Sequence, residues 1–161
     1  MTAAAGQGAP PSGIGGWLLL IAVGVCLTPI RIAAEIIRGL RPLVPATWRL
    51  VTTPGTRAYH PLFGPLIVGE LVVNVVLLIW AVVLVYLFFT RRRAFPMAMI
   101  AFMIARVVAQ VADAGVAMMI PAAAARMGPA TYGGIASGVL VALVWVPYLI
   151  KSRRVELTFV R

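Results

Sequence analysis

The sequence predicts an all-α integral membrane protein, a bundle of four transmembrane helices with a long proline- and aromatic-rich loop between the first and second. Three observations predict it. Hydrophobic residues make up 62% of the 161-residue chain and charged residues only 11%, a balance that a soluble globule does not carry. The mean hydropathy is +1.02. Four apolar stretches, about 13–37, 66–89, 95–120 and 132–150, each reach the roughly 20 residues that cross a hydrocarbon core about 30 Å thick at 1.5 Å per residue. These runs are continuous, whereas spanning strands alternate over about ten residues, so a closed barrel does not fit.

Residues 1–12, MTAAAGQGAPPS, are rich in Ala, Gly and Pro, carry no charged side chain, and predict a disordered tail. They lack the basic start of a cleaved secretory signal, so the first span is expected to be retained as an anchor. Gly13, Gly15 and Gly16 mark its edge, with Trp17 as an interfacial ring. Cys26, the single cysteine, lies inside this span, which excludes an intrachain disulfide and suits a small packing residue. Pro29 in the first span and Pro147 in the fourth are expected to bend their helices unless they fall in terminal turns.

The outer loop, 38–65, alternates prolines with aromatics and is too apolar for a free linker. Within it, Ala46 to Thr52 can form two helical turns, and Thr53-Pro54-Gly55-Thr56 has Pro then Gly at the central positions of a type II turn. Trp48, Tyr59, His60 and Phe63 are the candidate lid and interface residues, expected to lie on the outer leaflet. His60 is the sole histidine and has neither a second histidine nor a nearby cysteine, so no metal site is expected.

Polar residues in the spans fall at helical spacing. Arg106, Gln110 and Asp113 stand at i, i+4 and i+7 in the third span, Glu70 and Asn74 at i, i+4 in the second, and Arg31, Glu35 and Arg38 at i, i+4 and i+7 in the first. Counted from the outer ends at 1.5 Å per residue, Glu70, Arg31, Asp113 and Asn74 fall about 6–12 Å deep, and Arg106 about 20 Å deep. An unpaired guanidinium at that depth costs from about 3 to over 10 kcal/mol, so Arg106 must face the bundle interior and find a partner. Arg31 and Arg106 then oppose Glu35, Glu70 and Asp113, leaving one carboxylate in excess. Such a group takes up a proton, or holds a cation or the amine of a ligand. Two readings stay open: interhelical glue, with Arg106 paired to Asp113 or Glu70, or a proton or solute site opening outward. In the fourth span Gly134 and Gly138 have small-xxx-small spacing, with Gly133 and Ser137 on the next row, which permits close helix approach.

Arg91, Arg92 and Arg93 follow the second span, and Lys151, Arg153, Arg154 and Arg161 follow the fourth. Arg38, Arg41, Arg49, Arg57 and Arg126 lie on the opposite side, so the bias is seven basic residues to five. Basic loops stay cytoplasmic, which predicts both termini inside. The net charge of +10 is spread around the spans and suits anionic headgroups, so membrane lipids and not nucleic acid are the expected partners. After Ile150 the segment 151–161 is read as a basic, then apolar, cytoplasmic tail. Val155, Leu157 and Phe159 alternate with Glu156, Thr158 and Val160, which predicts an extended strand along the membrane or against a partner, or else a frayed end.

No metalloprotease, phosphate-loop, nucleophile-elbow or zinc motif occurs, so no catalytic residue, cofactor or metal is assigned. The segments IGGWLLLIAVGVCLTPIRI, PGTRAYHPLFGPLIVGELVVN, RRRAFP and WVPYLIKSRRVELTFV resemble the bacterial membrane-protein family known as domain of unknown function 2569. The resemblance implies a four-span, multi-pass protein of the bacterial inner membrane and supplies no catalytic residues. It covers Trp17, Pro29, Tyr59, His60, Glu70, Asn74, Pro147, Tyr148, Arg154 and Phe159, while Arg106 lies outside the resembling segments. The expected role is a non-catalytic structural or accessory subunit with a protein partner or a second copy. The alternative is transport or sensing of a small solute, cation or proton through the polar layer.

Overall fold

The computed structural model describes residues 16–160; the predicted tail 1–12, together with Gly13, Gly15 and Arg161, lies outside them. Helix α1 spans Trp17–Gly39. A 3-10 turn, Arg41–Leu43, and the short helix α2, Pro45–Thr52, occupy the long loop. Helix α3 spans Phe63–Phe89 and α4 spans Phe95–Met118. A single turn α5, Pro121–Ala124, leads to α6, Pro129–Lys151, and the chain ends in α7, Arg153–Thr158. Helices α1, α3, α4 and α6 are long and apolar enough to cross a membrane. Their ends agree with the predicted spans to within a few residues.

Local chemistry sets these boundaries. Gly16 enters α1 with φ +57°, the left-handed region that glycine occupies without a steric penalty. At the other end of α1, Arg38 Nε donates to the Ala34 carbonyl at 3.1 Å, occupying a last-turn acceptor. Proline begins α2, α5 and α6, where its missing N–H is not needed. Helix α3 stops in a Schellman arrangement: Arg91 is left-handed at φ 53°, its N–H donates to Phe88 O at 3.1 Å, and Arg92 N–H donates to Leu87 O at 3.0 Å. The predicted turn at Thr53 to Thr56 is present, with Gly55 at φ +91° and Thr56 N–H donating to Thr53 O at 3.4 Å. Pro29 and Pro147 both fall inside their helices rather than in the first turn.

Packing runs in a row, α1 on α3, α3 on α4 and α4 on α6. Most of the core cluster lies in the half of the bundle away from the long loop, while Ile32 of α1 reaches into the other half, where Ala114 and Ile120 are buried as well. It takes Leu18, Ile21, Ala22, Val25 and Ile32 from α1, Leu77, Ala81, Leu84 and Phe88 from α3, Phe95, Phe102 and Met103 from α4, and Leu149 from α6. Trp80 meets Phe102 edge-on at 5.8 Å, joining α3 to α4, and Trp17 meets Trp145 at 6.1 Å, joining α1 to α6. Such ring pairs contribute about 0.5–1.5 kcal/mol each beyond the area they bury.

The C-terminal segment corrects the sequence reading. It is not extended: α7 turns back and buries Val155, Thr158 and Phe159, spaced i, i+3 and i+4, while Leu157 is exposed. Phe159 stacks on Phe95 at 4.6 Å and lies 5.6 Å from Phe88, and Arg93 Nε donates to the Val160 carbonyl at 2.8 Å. Tertiary packing chose the helical period because the α3–α4 connection offers an aromatic socket for two residues one helical turn apart. The segment therefore plugs the base of the bundle.

Candidate functional site

Above the core, the loop-side half of the bundle opens into a cavity of about 560 Å³. Its walls are the first half of α3 and the second half of α4, with Glu35 contributed by α1. Leu77 belongs both to the core and to the cavity floor. The polar residues are Glu35, Glu70, Asn74, Arg106, Gln110 and Asp113. Leu62, Leu66, Val73, Ala109 and Val116 are among the apolar ones. The volume falls in the range of about 300–1,000 Å³ typical of small-molecule pockets.

Helical spacing gathers these side chains. Glu70 and Asn74 project from one face of α3, and Arg106, Gln110 and Asp113 from one face of α4. Arg106 Nη2 donates to both oxygens of Glu35, at 2.9 Å and 3.2 Å, tying α4 to α1. The two side chains remain 25% and 35% exposed, so the pair faces the cavity rather than the packed core. This is the only ion pair among the described residues, and it corrects the expectation that Arg106 pairs with Asp113 or Glu70. The sequence does not reveal that α1 brings Glu35 within reach of the long arginine side chain.

A second correction concerns Arg31. It is exposed and does not line the cavity, because it stands one residue from the buried Ile32 and so points about 100° away, whereas Glu35 lies three residues on and shares the inward side. The charge count changes with it. Glu35 is neutralised by Arg106, and Glu70 and Asp113 both remain without a cationic partner among the lining residues. Two carboxylates are in excess, not one.

The predicted lid residues lie beside the cavity and do not line it. Trp48 and Thr52 of α2 pack on the start of α3, where a Cβ at Gly64 would stand 3.8 Å from Trp48 Cη2 and 3.6 Å from Thr52 Cγ2. His60 Nδ1 accepts the Leu62 N–H at 3.3 Å, a local turn contact, and Tyr59 is exposed. Phe63 is half-buried as the first residue of α3. From this region only Leu62 and Pro65 reach the cavity wall. Among the described residues, no three of His, Cys, Asp and Glu come together in a group that could hold a metal ion.

Gln110 spans two environments. It lines the cavity, yet its Oε1 is buried without a hydrogen-bond partner and packs toward α6, where a Cβ at Gly138 would stand 3.3 Å from it and 3.4 Å from Val107 Cγ2. Gly138 is therefore the glycine that permits close approach of α6 to α4. Gly133 and Gly134 face open space. The apolar lining residues Leu62, Leu66, Val73 and Leu77 escaped the sequence reading, although their three- and four-residue spacing puts them on the face of Glu70 and Asn74.

A family whose description is Protein of unknown function (DUF2569) matches residues 11–160, nearly the whole chain. No curated protein and no solved structure shows significant similarity to it.

Proposed function

The chain belongs to the DUF2569 family, and on that premise we propose that it is a membrane protein that binds a small cationic solute within its bundle, for movement across the membrane or for sensing, without catalysis. One observation carries this reading: a cavity of about 560 Å³ lined by two carboxylates, Glu70 and Asp113, that the bundle's own arginine does not neutralise. A carboxylate at membrane depth is costly to ionise without a partner, and a bound cation would supply that partner. The seven-to-five arginine and lysine bias supports a bacterial inner-membrane location with both termini in the cytoplasm, so that the cavity would open outward. A reporter fused to the C-terminus and one inserted at Gly55 would report opposite sides if that orientation is right.

Binding is tested by thermal melting of the detergent-purified protein against a panel of cations. A true ligand stabilises by mass action, by about 2.7 kcal/mol at a hundred times its Kd. Ala109→Phe, which fills the cavity, should abolish the shift in a protein that still melts cooperatively. Persistence of the shift would place binding elsewhere.

A second reading, an accessory subunit, is favoured by α6, whose Gly133 and Gly134 have nothing near them. Gly134→Leu should then break an assembly detectable by size in mild detergent while leaving the cavity's ligands bound.

A further inference from the structure

Resting on the reading of the cavity as a binding site, we infer that its ligand is an organic dication, two basic nitrogens held apart by an apolar spacer, of the diamine or polyamine class. The first argument is charge. Arg106 occupies Glu35 through a forked contact from one nitrogen at 2.9 Å and 3.2 Å, which leaves two carboxyl groups among the cavity's lining residues, Glu70 and Asp113, each without a cationic side chain. One monovalent ligand would pair with one of them; a dication pairs with both.

The second argument is placement. Glu70 stands on α3 and Asp113 on α4, so the two acceptors are presented by two neighbouring helices and not by one. Asn74, one turn from Glu70, adds an amide oxygen on the same helix for the remaining N–H groups of an ammonium. Val73 and Ala109 lie among the polar positions and Leu66 and Val116 one turn beyond them toward the loop, surfaces that favour methylene groups over water.

The third argument is size. At about 30 Å³ per water, 560 Å³ left to hydrated inorganic ions would hold roughly twenty water molecules against apolar walls. The absence of a metal-holding triad of His, Cys, Asp and Glu among the described residues points the same way. An organic body fills that space at lower cost.

The test uses the full chain in detergent, with diaminohexane and spermidine as probes, hexylamine as the matched monoamine and sodium as the inorganic control. Diaminohexane is expected to bind at least about tenfold more tightly than hexylamine by isothermal titration. Glu70→Gln and Asp113→Asn, each checked for cooperative melting, should bring that ratio close to one while leaving hexylamine binding in place. Arg31→Gln, which alters a cation outside the cavity, should leave the ratio unchanged. Equal affinity for the two amines in the native protein would overturn the dication, as would a preference that survives both carboxylate substitutions. If hexylamine binds and Ala109→Phe abolishes it without any diamine preference, the cavity reading stands and the dication falls. If no probe binds, or if Ala109→Phe leaves binding intact, both fall.

Discussion

Removing the charge of Arg106 should destabilise the protein more than removing the charge of its partner Glu35, although the two share one ion pair. Exposed pairs contribute about 0–1 kcal/mol, and breaking a fully buried pair costs about 3–5 kcal/mol. With side chains 25% and 35% exposed, this pair lies between those limits. Glu35→Gln leaves Arg106 beside Glu70 and Asp113, which line the same cavity and can take over part of its charge, so the expected loss is about 2 kcal/mol. Arg106→Gln instead leaves three carboxylates and no cation among the lining residues. At the 8–10 Å that separates packed helix axes, two unit charges repel by about 2 kcal/mol at an effective dielectric near 20. The expected loss is therefore about 4 kcal/mol at neutral pH. For a chain of this length about 1 kcal/mol moves Tm by roughly 2–4 °C, so the two variants should separate by several degrees. Melting followed by tryptophan fluorescence reads both halves, since Trp17 and Trp145 sit at the plugged end and Trp48 at the loop end. Equal losses in the two variants would refute the charge count.

The plug, the helix contact and the turn give three further tests. Phe159→Ala removes the ring stacked on Phe95 and should cost about 3–5 kcal/mol, read as an earlier melt, whereas Leu157→Ala on the exposed side should be nearly silent. Gly138→Val forces side-chain atoms against Gln110 and Val107 and should cost about 1–3 kcal/mol, while Gly133→Ala, facing open space, should be neutral or stabilising by up to about 1 kcal/mol. Gly55→Ala meets no neighbour, so any loss, expected at about 1–2 kcal/mol, measures the left-handed backbone alone.

How much of this was legible in the sequence depends on the range of the information each feature needs. The four spans are a local property, carried by continuous apolar runs, and the structure has four such helices; the i, i+4 and i+7 spacing that groups the polar residues of α3 and α4 is local too, and those residues line the cavity. Arg31 and Glu35 show where local reading fails. Both belong to one i, i+4 stripe, but only rotation of α1, fixed by packing of Ile32 and Val25 on its neighbours, decides which of them turns inward. The partner of Arg106 requires knowing which helices are adjacent, which no spacing within one helix contains. In the tail, six residues satisfy the strand and helix periods equally well, and the ring of Phe95 arbitrates between them. The loop rings stand beside the cavity and not on its wall, a difference the sequence does not carry because aromatic residues near a cavity look alike in it.

The contrast between a packed base and an open mouth divides the bundle into a braced half and a receptive half. Phe88, Phe95 and Phe159, with rings 4.6 to 5.6 Å apart, lock α3 to α4 where they join. Packing along α3 continues through Leu84 and Ala81 up to Leu77. From Leu77 to Glu70 the helix runs only about 10 Å at 1.5 Å per residue. Glu70 therefore stands about two turns above a packed floor, on a braced arm and not a free one.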